Sequence, residues 1–176
     1  MERRHDARFV GLTLALLALA SFVGSAAAMD LESWDKQIDK ASKRFKVLSD
    51  FNNAAVLDKE TGLVWEQSPA TTTETWSDAR FTCADKNVGG RKGWRLPSFA
   101  ELASLLDPNA ASAPFLPAGH PFTNVQEALY WSASTDADVS TVAWAVPFGG
   151  GNVGTELKAN ARHVWCVRGG MNADLY

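Results

Sequence analysis

The sequence has few of the residues from which catalytic and metal sites are most often built. Its 176 residues include three histidines and two cysteines. Cys83 and Cys166 lie far apart, so they form neither a Cys-x-x-Cys redox motif nor a four-ligand zinc site. The sequence also lacks a Gly-x-Ser-x-Gly nucleophile elbow and a His-x-x-His pair. These absences predict no catalytic residue, no metal ligand set and no resident cofactor.

The histidines themselves offer little to a catalytic mechanism. His120 lies between Gly119 and Pro121 in a predicted loop, and His163 lies in a predicted strand with alternating apolar neighbours. A hydrolytic triad needs a nucleophile, a base and an orienting acid within mutual reach. A single histidine in a strand is more often a packed residue. An enzyme is therefore the least favoured class of function.

Basic residues are not in excess. The chain has 17 lysines and arginines against 20 aspartates and glutamates, a net charge of −3. Domains that bind nucleic acid usually carry a basic stripe, so nucleic acid is excluded as a partner. The one tight basic cluster in the body of the chain is Arg91, Lys92 and Arg95, and a solvated loop is its simpler interpretation.

A hydrophobic run long enough to span a bilayer is also missing. The longest apolar run covers residues 9–23, 15 residues, whereas a spanning helix needs about 20. It follows Arg3 and Arg4 and ends in the small residues 24–28, which is the pattern of a secretory signal. We predict a cleaved signal peptide over residues 1–28, with an uncleaved anchor as the alternative, and no membrane span in the mature chain. Cleavage removes three basic and two acidic side chains, which leaves 14 and 18 and a net charge of −4.

Export changes the interpretation of the two cysteines. In an oxidising compartment an even pair of cysteines is usually bonded, while a redox or metal role is the alternative. We therefore predict a Cys83–Cys166 disulfide in the periplasm or at the cell surface. In the chain-entropy model, closing so long a loop stabilises the fold by roughly 4–5 kcal/mol.

The segment 29–50 has the pattern of an amphipathic helix. Apolar residues recur at helical spacing over Asp30–Asp50. Glu32 and Lys36 form a favourable pair four residues apart. Such a helix packs on the domain or binds a partner protein, so the oligomeric state stays open.

The pattern of residues 51–170 predicts an α+β domain, and residues 171–176 are expected to form a short tail. A hairpin is expected from residues 54–58 and 63–66, with a turn at Gly62. Helices are expected to begin after Thr75 and Ser98, each of which precedes an acidic side chain by three residues, as in a capping box. Strands are expected at 130–134, 142–148 and 162–168, and most of the seven tryptophans are expected in the core.

Loops that are expected to gather at one end of the fold supply the candidate ligand-binding residues. Residues 108–128 form the longest stretch without a regular pattern, and such loops on a rigid scaffold often carry recognition. Four residues are expected to supply oxygen ligands or hydrogen bonds to a sugar: Asp136, Asp138, Asn152 and Glu156. Two aromatic residues are expected to form a stacking face: Trp144 and Phe148. Asp58 and Glu60 at the hairpin turn leave calcium open as a ligand without defining a calcium site.

Five short motifs in a fixed order connect the chain to a known family. They are Thr61-Gly62-Leu63-Val64-Trp65, the segment Trp76 to Cys83, Gly93-Trp94-Arg95-Leu96-Pro97-Ser98 with Glu101-Leu102, Tyr130-Trp131-Ser132-Ala133-Ser134, and Cys166-Val167-Arg168. This series resembles the Lcl C-terminal domain family, long catalogued as a domain of unknown function. The resemblance implies a variant of the C-type lectin fold, with two helices on short antiparallel sheets and the first helix tied to the last strand by a disulfide, here Cys83 to Cys166.

The resemblance also implies an exported bacterial protein, often at the cell surface. The family's name-giving member resembles an adhesin for sulfated polysaccharides. The sequence lacks the Glu-Pro-Asn or Gln-Pro-Asp and the Trp-Asn-Asp of calcium-dependent sugar sites, and fold does not determine function. We therefore predict a non-catalytic binding module for a polysaccharide or another cell-surface ligand. The alternative is a structural envelope component that binds another protein.

Overall fold

Two five-stranded sheets of short strands carry the fold. The computed structural model describes residue 38 and residues 40–169, which all belong to one compact unit, Trp34–Tyr176. The predicted signal peptide and the tail 171–176 lie outside the described residues. In the described chain the helices are α1 (Ala41–Arg44), α2 (Trp76–Asp85) and α3 (Phe99–Ala103), with a 3-10 helix at Ser49–Phe51. The strands are β1 (Phe45–Val47), β2 (Ala55–Asp58), β3 (Val64–Glu66), β4 (Thr73–Glu74), β5 (Trp94–Arg95), β6 (Leu129–Thr135), β7 (Val142–Pro147), β8 (Gly154–Leu157), β9 (Arg162–His163) and β10 (Val167–Arg168).

The sheets are mostly antiparallel, as the α+β prediction requires. The strand order is β1-β2-β3-β10-β5 in the first sheet and β4-β9-β6-β7-β8 in the second. The pairing of β6 with β9 is parallel, and the other pairings between named strands are antiparallel. In the described chain, no helix is both long enough and apolar enough to cross a membrane.

Local sequence signals locate several elements correctly. The hairpin of β2 and β3 turns at Gly62, whose φ of +73° is readily available to glycine. The Thr75 side chain accepts the backbone N–H of Asp78 at the start of α2. Ser98 and Glu101 form the predicted capping box at the start of α3. Each of these predictions is confirmed because its cause lies within a few residues of chain.

The predicted helix over Asp30–Asp50 is wrong for its last third. Helix α1 ends at Arg44, and residues Phe45–Val47 form strand β1, which pairs with β2. Backbone pairing along the first sheet and burial of Phe45 outweigh the helical spacing of the apolar residues. The first part of that prediction, residues 30–37 and 39, lies outside the described residues.

The predicted last strand, 162–168, is also divided. Arg162–His163 is β9 of the second sheet, whereas Val167–Arg168 is β10 of the first. The three residues between them, Val164 to Cys166, are buried as the chain passes from one sheet to the other. The strand β8 was not expected, because glycine and polar residues around it resemble a loop.

Aromatic side chains pack between the sheets, and a disulfide ties α2 to the chain segment before β10. Trp65, Trp131 and Trp165 are fully buried, as expected for core tryptophans. The Trp165 ring contacts the rings of four residues, Trp65, Phe122, Tyr130 and Phe148. The predicted disulfide is present, since the sulfurs of Cys83 on α2 and Cys166 before β10 are bonded at 2.07 Å. Of the six tryptophans in the described part of the chain, four are buried, the fourth being Trp94.

Candidate functional site

The two aromatic residues predicted to form a stacking face do not form one. Phe148 has no exposed surface, and its ring packs against Tyr130 and Trp165, so this part of the prediction is wrong. Trp144 is half-buried and lies against the ring of Phe99 on α3. Phe148 was misassigned because the sequence pattern does not show that residues 148 and 165 meet across the core.

The predicted oxygen ligands are spread over separate local structures. Asp136 Oδ1 accepts the backbone N–H groups of Asp138 and Val139, which closes the turn between β6 and β7. Glu156 on β8 forms an ion pair with Arg162 on β9. Asp138 and Asn152 are exposed. The six predicted residues are therefore not brought together into one site.

The carboxylates at the hairpin turn have a partner within the fold. Arg44 Nε and Nη2 donate to Asp58 Oδ1 and Oδ2 at 3.0 and 2.8 Å, and Arg44 Nε lies 3.3 Å from Glu60 Oε2. Arg44 and Asp58 are both buried, so the pair is a structural cross-link between α1 and β2. Among the described residues, no three His, Cys, Asp or Glu side chains lie close enough together to hold a metal ion.

The two described histidines are half-buried and make local contacts within the fold. Burial lowers the pKa of both His120 and His163. His120 Nδ1 accepts the backbone N–H of Phe122, which requires the neutral ring. The His163 ring lies 5.3 Å from that of Tyr130, and a hydrogen bond to the backbone of Ala70 opposes the lowering of its pKa.

Two arginines lie over one aromatic ring and a lysine is adjacent in the backbone, and we call this set the Phe51 cluster: Phe51, Arg91, Lys92 and Arg168. The guanidinium carbons of Arg91 and Arg168 lie 5.7 and 5.9 Å from the centre of the Phe51 ring. Arg168 Nε also donates to the backbone oxygen of Lys92 at 2.8 Å. Within the described residues, none of the three cations has a carboxylate at ion-pair distance.

The loop that carries two of these cations is held tightly. Val88 and Arg91 exchange backbone hydrogen bonds at 3.0 Å, and Trp94 Nε1 donates to the Arg91 oxygen. Gly89 has a φ of +57°, and a Cβ there would lie 2.2 Å from the backbone oxygen of Phe51. The loop therefore packs directly on Phe51, so its cations are presented from a defined backbone.

The sequence indicated only part of this cluster. The adjacent pair Arg91 and Lys92 was visible, but Arg95, grouped with them, binds Glu101 through two hydrogen bonds. Arg168 comes from 76 residues further along the chain and replaces Arg95 beside the pair. Strand pairing of β10 with β5 brings it there, and no local pattern predicts that pairing.

The fold and the site define a class of protein: an α+β domain that is tied by a disulfide and carries a basic cluster on its surface. The model of the Lcl C-terminal domain family matches residues 54–168, about two thirds of the chain. The chain belongs to this family, which confirms the predicted resemblance. A search of curated proteins finds no match.

Proposed function

We propose that the protein is an exported, non-catalytic module that binds an acidic polysaccharide through the Phe51 cluster. The observation that carries the proposal is the pair of guanidinium groups, Arg91 and Arg168, beside one ring and next to Lys92 in the chain, with no described carboxylate at ion-pair distance in a chain of net charge −3. Such a local excess of positive charge in an acidic protein marks the place where an anionic ligand is attracted.

The chemistry of the cluster favours sulfate or carboxylate groups. A guanidinium group presents a planar fork of donors that matches both anions, and Lys92 adds a mobile ammonium group. The Phe51 ring is almost fully buried, so it supports the two guanidinium groups rather than stacking on a sugar. A polysaccharide with regularly spaced anions is the ligand that would engage all three cations together.

The proposal includes the C-type-lectin-like fold that the family resemblance implies, and the disulfide supports it. Helix α2 is joined by Cys83–Cys166 to the segment that leads into the last strand, which is the tie that the family resemblance implies. The disulfide and the secretory pattern of residues 1–28 both favour export. Sulfated polysaccharide is the ligand class that the same resemblance implies, and the cluster offers the matching charge.

The test compares two polymers with the same sugar backbone. Purified protein is titrated with dextran sulfate and with neutral dextran at low and at high salt. The proposal expects binding to dextran sulfate alone, weakened by salt because exposed charges are screened. Binding to neither polymer, or equal binding to both, would contradict it.

Variants then locate the binding surface. The double variant Arg91→Ala/Arg168→Ala should weaken binding to dextran sulfate at least about tenfold, the loss of two charge-assisted contacts. Arg80→Ala is the matched control, because Arg80 is another exposed arginine, stacked on Trp76 at 4.8 Å. Because Arg80→Ala removes one charge and the double variant two, a loss of half or more of the double variant's binding free energy in Arg80→Ala would show that binding reflects total charge rather than this cluster. Melting curves of all variants check that the fold is retained.

A further inference from the structure

Strand β8 is an outer strand that the described chain leaves open. It ends the order β4-β9-β6-β7-β8, and no described strand pairs with its outer side. With four residues it is longer than the other outer strands, β1 of three residues and β4 and β5 of two each. An open outer strand is a ready template for pairing with another strand.

The backbone of β8 determines which groups face outward. Lys158 N donates to Thr141 O at 2.9 Å, so this pair is hydrogen-bonded across β7 and β8. In an antiparallel pair, hydrogen-bonded residues alternate with residues whose N–H and C=O point away from the partner strand. From the register of Trp144 with Thr155 and Val142 with Leu157, both Thr155 and Leu157 turn these groups to the open side. The Leu157 oxygen also accepts the backbone N–H of Asn160 at 2.8 Å, and its second lone pair remains for a partner strand.

The side chains on this strand do not block pairing. Val153, just before β8, and Leu157 are apolar and are 43% and 54% exposed, and Thr155 lies between them on the same face. The only charged side chain of β8, Glu156, lies on the other face and is paired with Arg162. The outer strand β1 differs, because it carries an exposed lysine, Lys46, of the kind that protects an edge from pairing.

We propose that β8 pairs with β8 of a second copy of this chain, antiparallel, about a twofold axis at Thr155. In this register Thr155 faces Thr155 of the other copy, and Val153 faces Leu157. Apolar residues then oppose apolar residues, and no like charges face each other. The strand is thus complementary to itself, as the interface of a twofold dimer requires. The pairing does not involve the Phe51 cluster, so it stands independently of the proposed ligand.

Sedimentation of the full chain measures the association directly. The interface is small, so concentrations from about 10 μM to about 1 mM cover the range in which it associates. We expect a monomer–dimer equilibrium that is lost in Thr155→Pro and in Thr155→Lys. Proline at 155 removes an outward N–H and leaves the bonds to β7 intact. Thr71→Lys, the same change in an exposed loop, should leave the dimer unchanged.

A cysteine at the axis tests the register. Residues that face each other in an antiparallel pair have Cα atoms about 5.5 Å apart, within the range of a disulfide. Thr155→Cys should therefore form an intermolecular disulfide on mild oxidation, whereas Thr71→Cys should not. Each variant has one free thiol, because Cys83 and Cys166 are bonded to each other. A chain that stays monomeric throughout, a dimer that survives both Thr155→Pro and Thr155→Lys, or equal cross-linking of the two cysteine variants would overturn the proposal.

Discussion

Glu66 accepts the backbone N–H of Cys166 at 2.9 Å, across 100 residues of chain. Its other carboxylate oxygen pairs with Lys86 Nζ, also at 2.9 Å. Lys86 caps the end of α2, the helix that carries Cys83. One buried carboxylate therefore connects the same two elements that the disulfide connects, and it reinforces that cross-link without covalent bonding.

Glu66 makes stability depend on pH in an unusual direction for a carboxylate. Burial raises its pKa, while Lys86 and the Cys166 N–H oppose the shift. The folded chain then holds a proton that the unfolded chain releases above about pH 4.5, so this group lowers stability as the pH rises through its folded pKa. We expect wild-type protein to lose stability relative to Glu66→Gln as pH rises from 4. Denaturant unfolding of both proteins across pH 4–8 measures this difference. A difference that grows in the opposite direction would contradict it.

His120 and His163 should act in the opposite direction. Burial lowers the pKa of both rings, so below about pH 6.5 the unfolded chain binds protons that the folded chain does not. Their contribution to stability is therefore present above pH 6.5 and is lost as the pH falls through the folded values. We expect His163→Gln to flatten the loss of stability between pH 7 and pH 5, measured by thermal unfolding. Lys59→Gln, a change in an exposed turn residue, is the control that should leave the slope unchanged.

Gly89 and Gly62 form a matched pair for testing the loop of the Phe51 cluster. Both have positive φ, but a Cβ would collide with the backbone of Phe51 at Gly89 and would meet nothing within 4 Å at Gly62. Gly62→Ala should cost about 1 kcal/mol from backbone strain alone. Gly89→Ala should cost clearly more, about 3 kcal/mol or above, and should also weaken dextran sulfate binding. Equal losses of unfolding free energy in the two variants would show that the loop does not pack on Phe51 as described.

The Arg44–Asp58 pair is expected to behave as a buried ion pair. Asp58→Ala leaves a buried guanidinium without its closest carboxylate and should cost about 3–5 kcal/mol. The double variant Arg44→Met/Asp58→Ala should lose less than Asp58→Ala, because it leaves no buried charge behind. Urea unfolding of the wild-type protein, Asp58→Ala and the double variant tests this order of stability. If the double variant were the least stable of the three, the pair would contribute net stabilisation beyond avoidance of the unpaired charge.

The sequence predicted correctly those features that depend on neighbouring residues, and its failures lie where the contacts join distant parts of the chain. The hairpin turn at Gly62 and the caps at Thr75 and Ser98 depend on groups within four residues, and all three are present. The helix predicted through Asp50 fails where its cause is distant, because Phe45–Val47 pairs with β2 instead. Phe148 failed as a ligand residue for the same reason, since its burial depends on Tyr130 and Trp165.

By itself the sequence determined the turn at Gly62, the starts of α2 and α3, the family and, by having only two cysteines, the pairing of Cys83 with Cys166. Those features follow from local geometry, from ordered motifs or from having only two cysteines. Only the tertiary structure decided which charges meet and which edges stay open. Arg168 joins Arg91 because β10 pairs with β5, and β8 is left open because the second sheet ends there. Contacts between residues far apart in the chain depend on how all strands pair at once, which no short segment encodes.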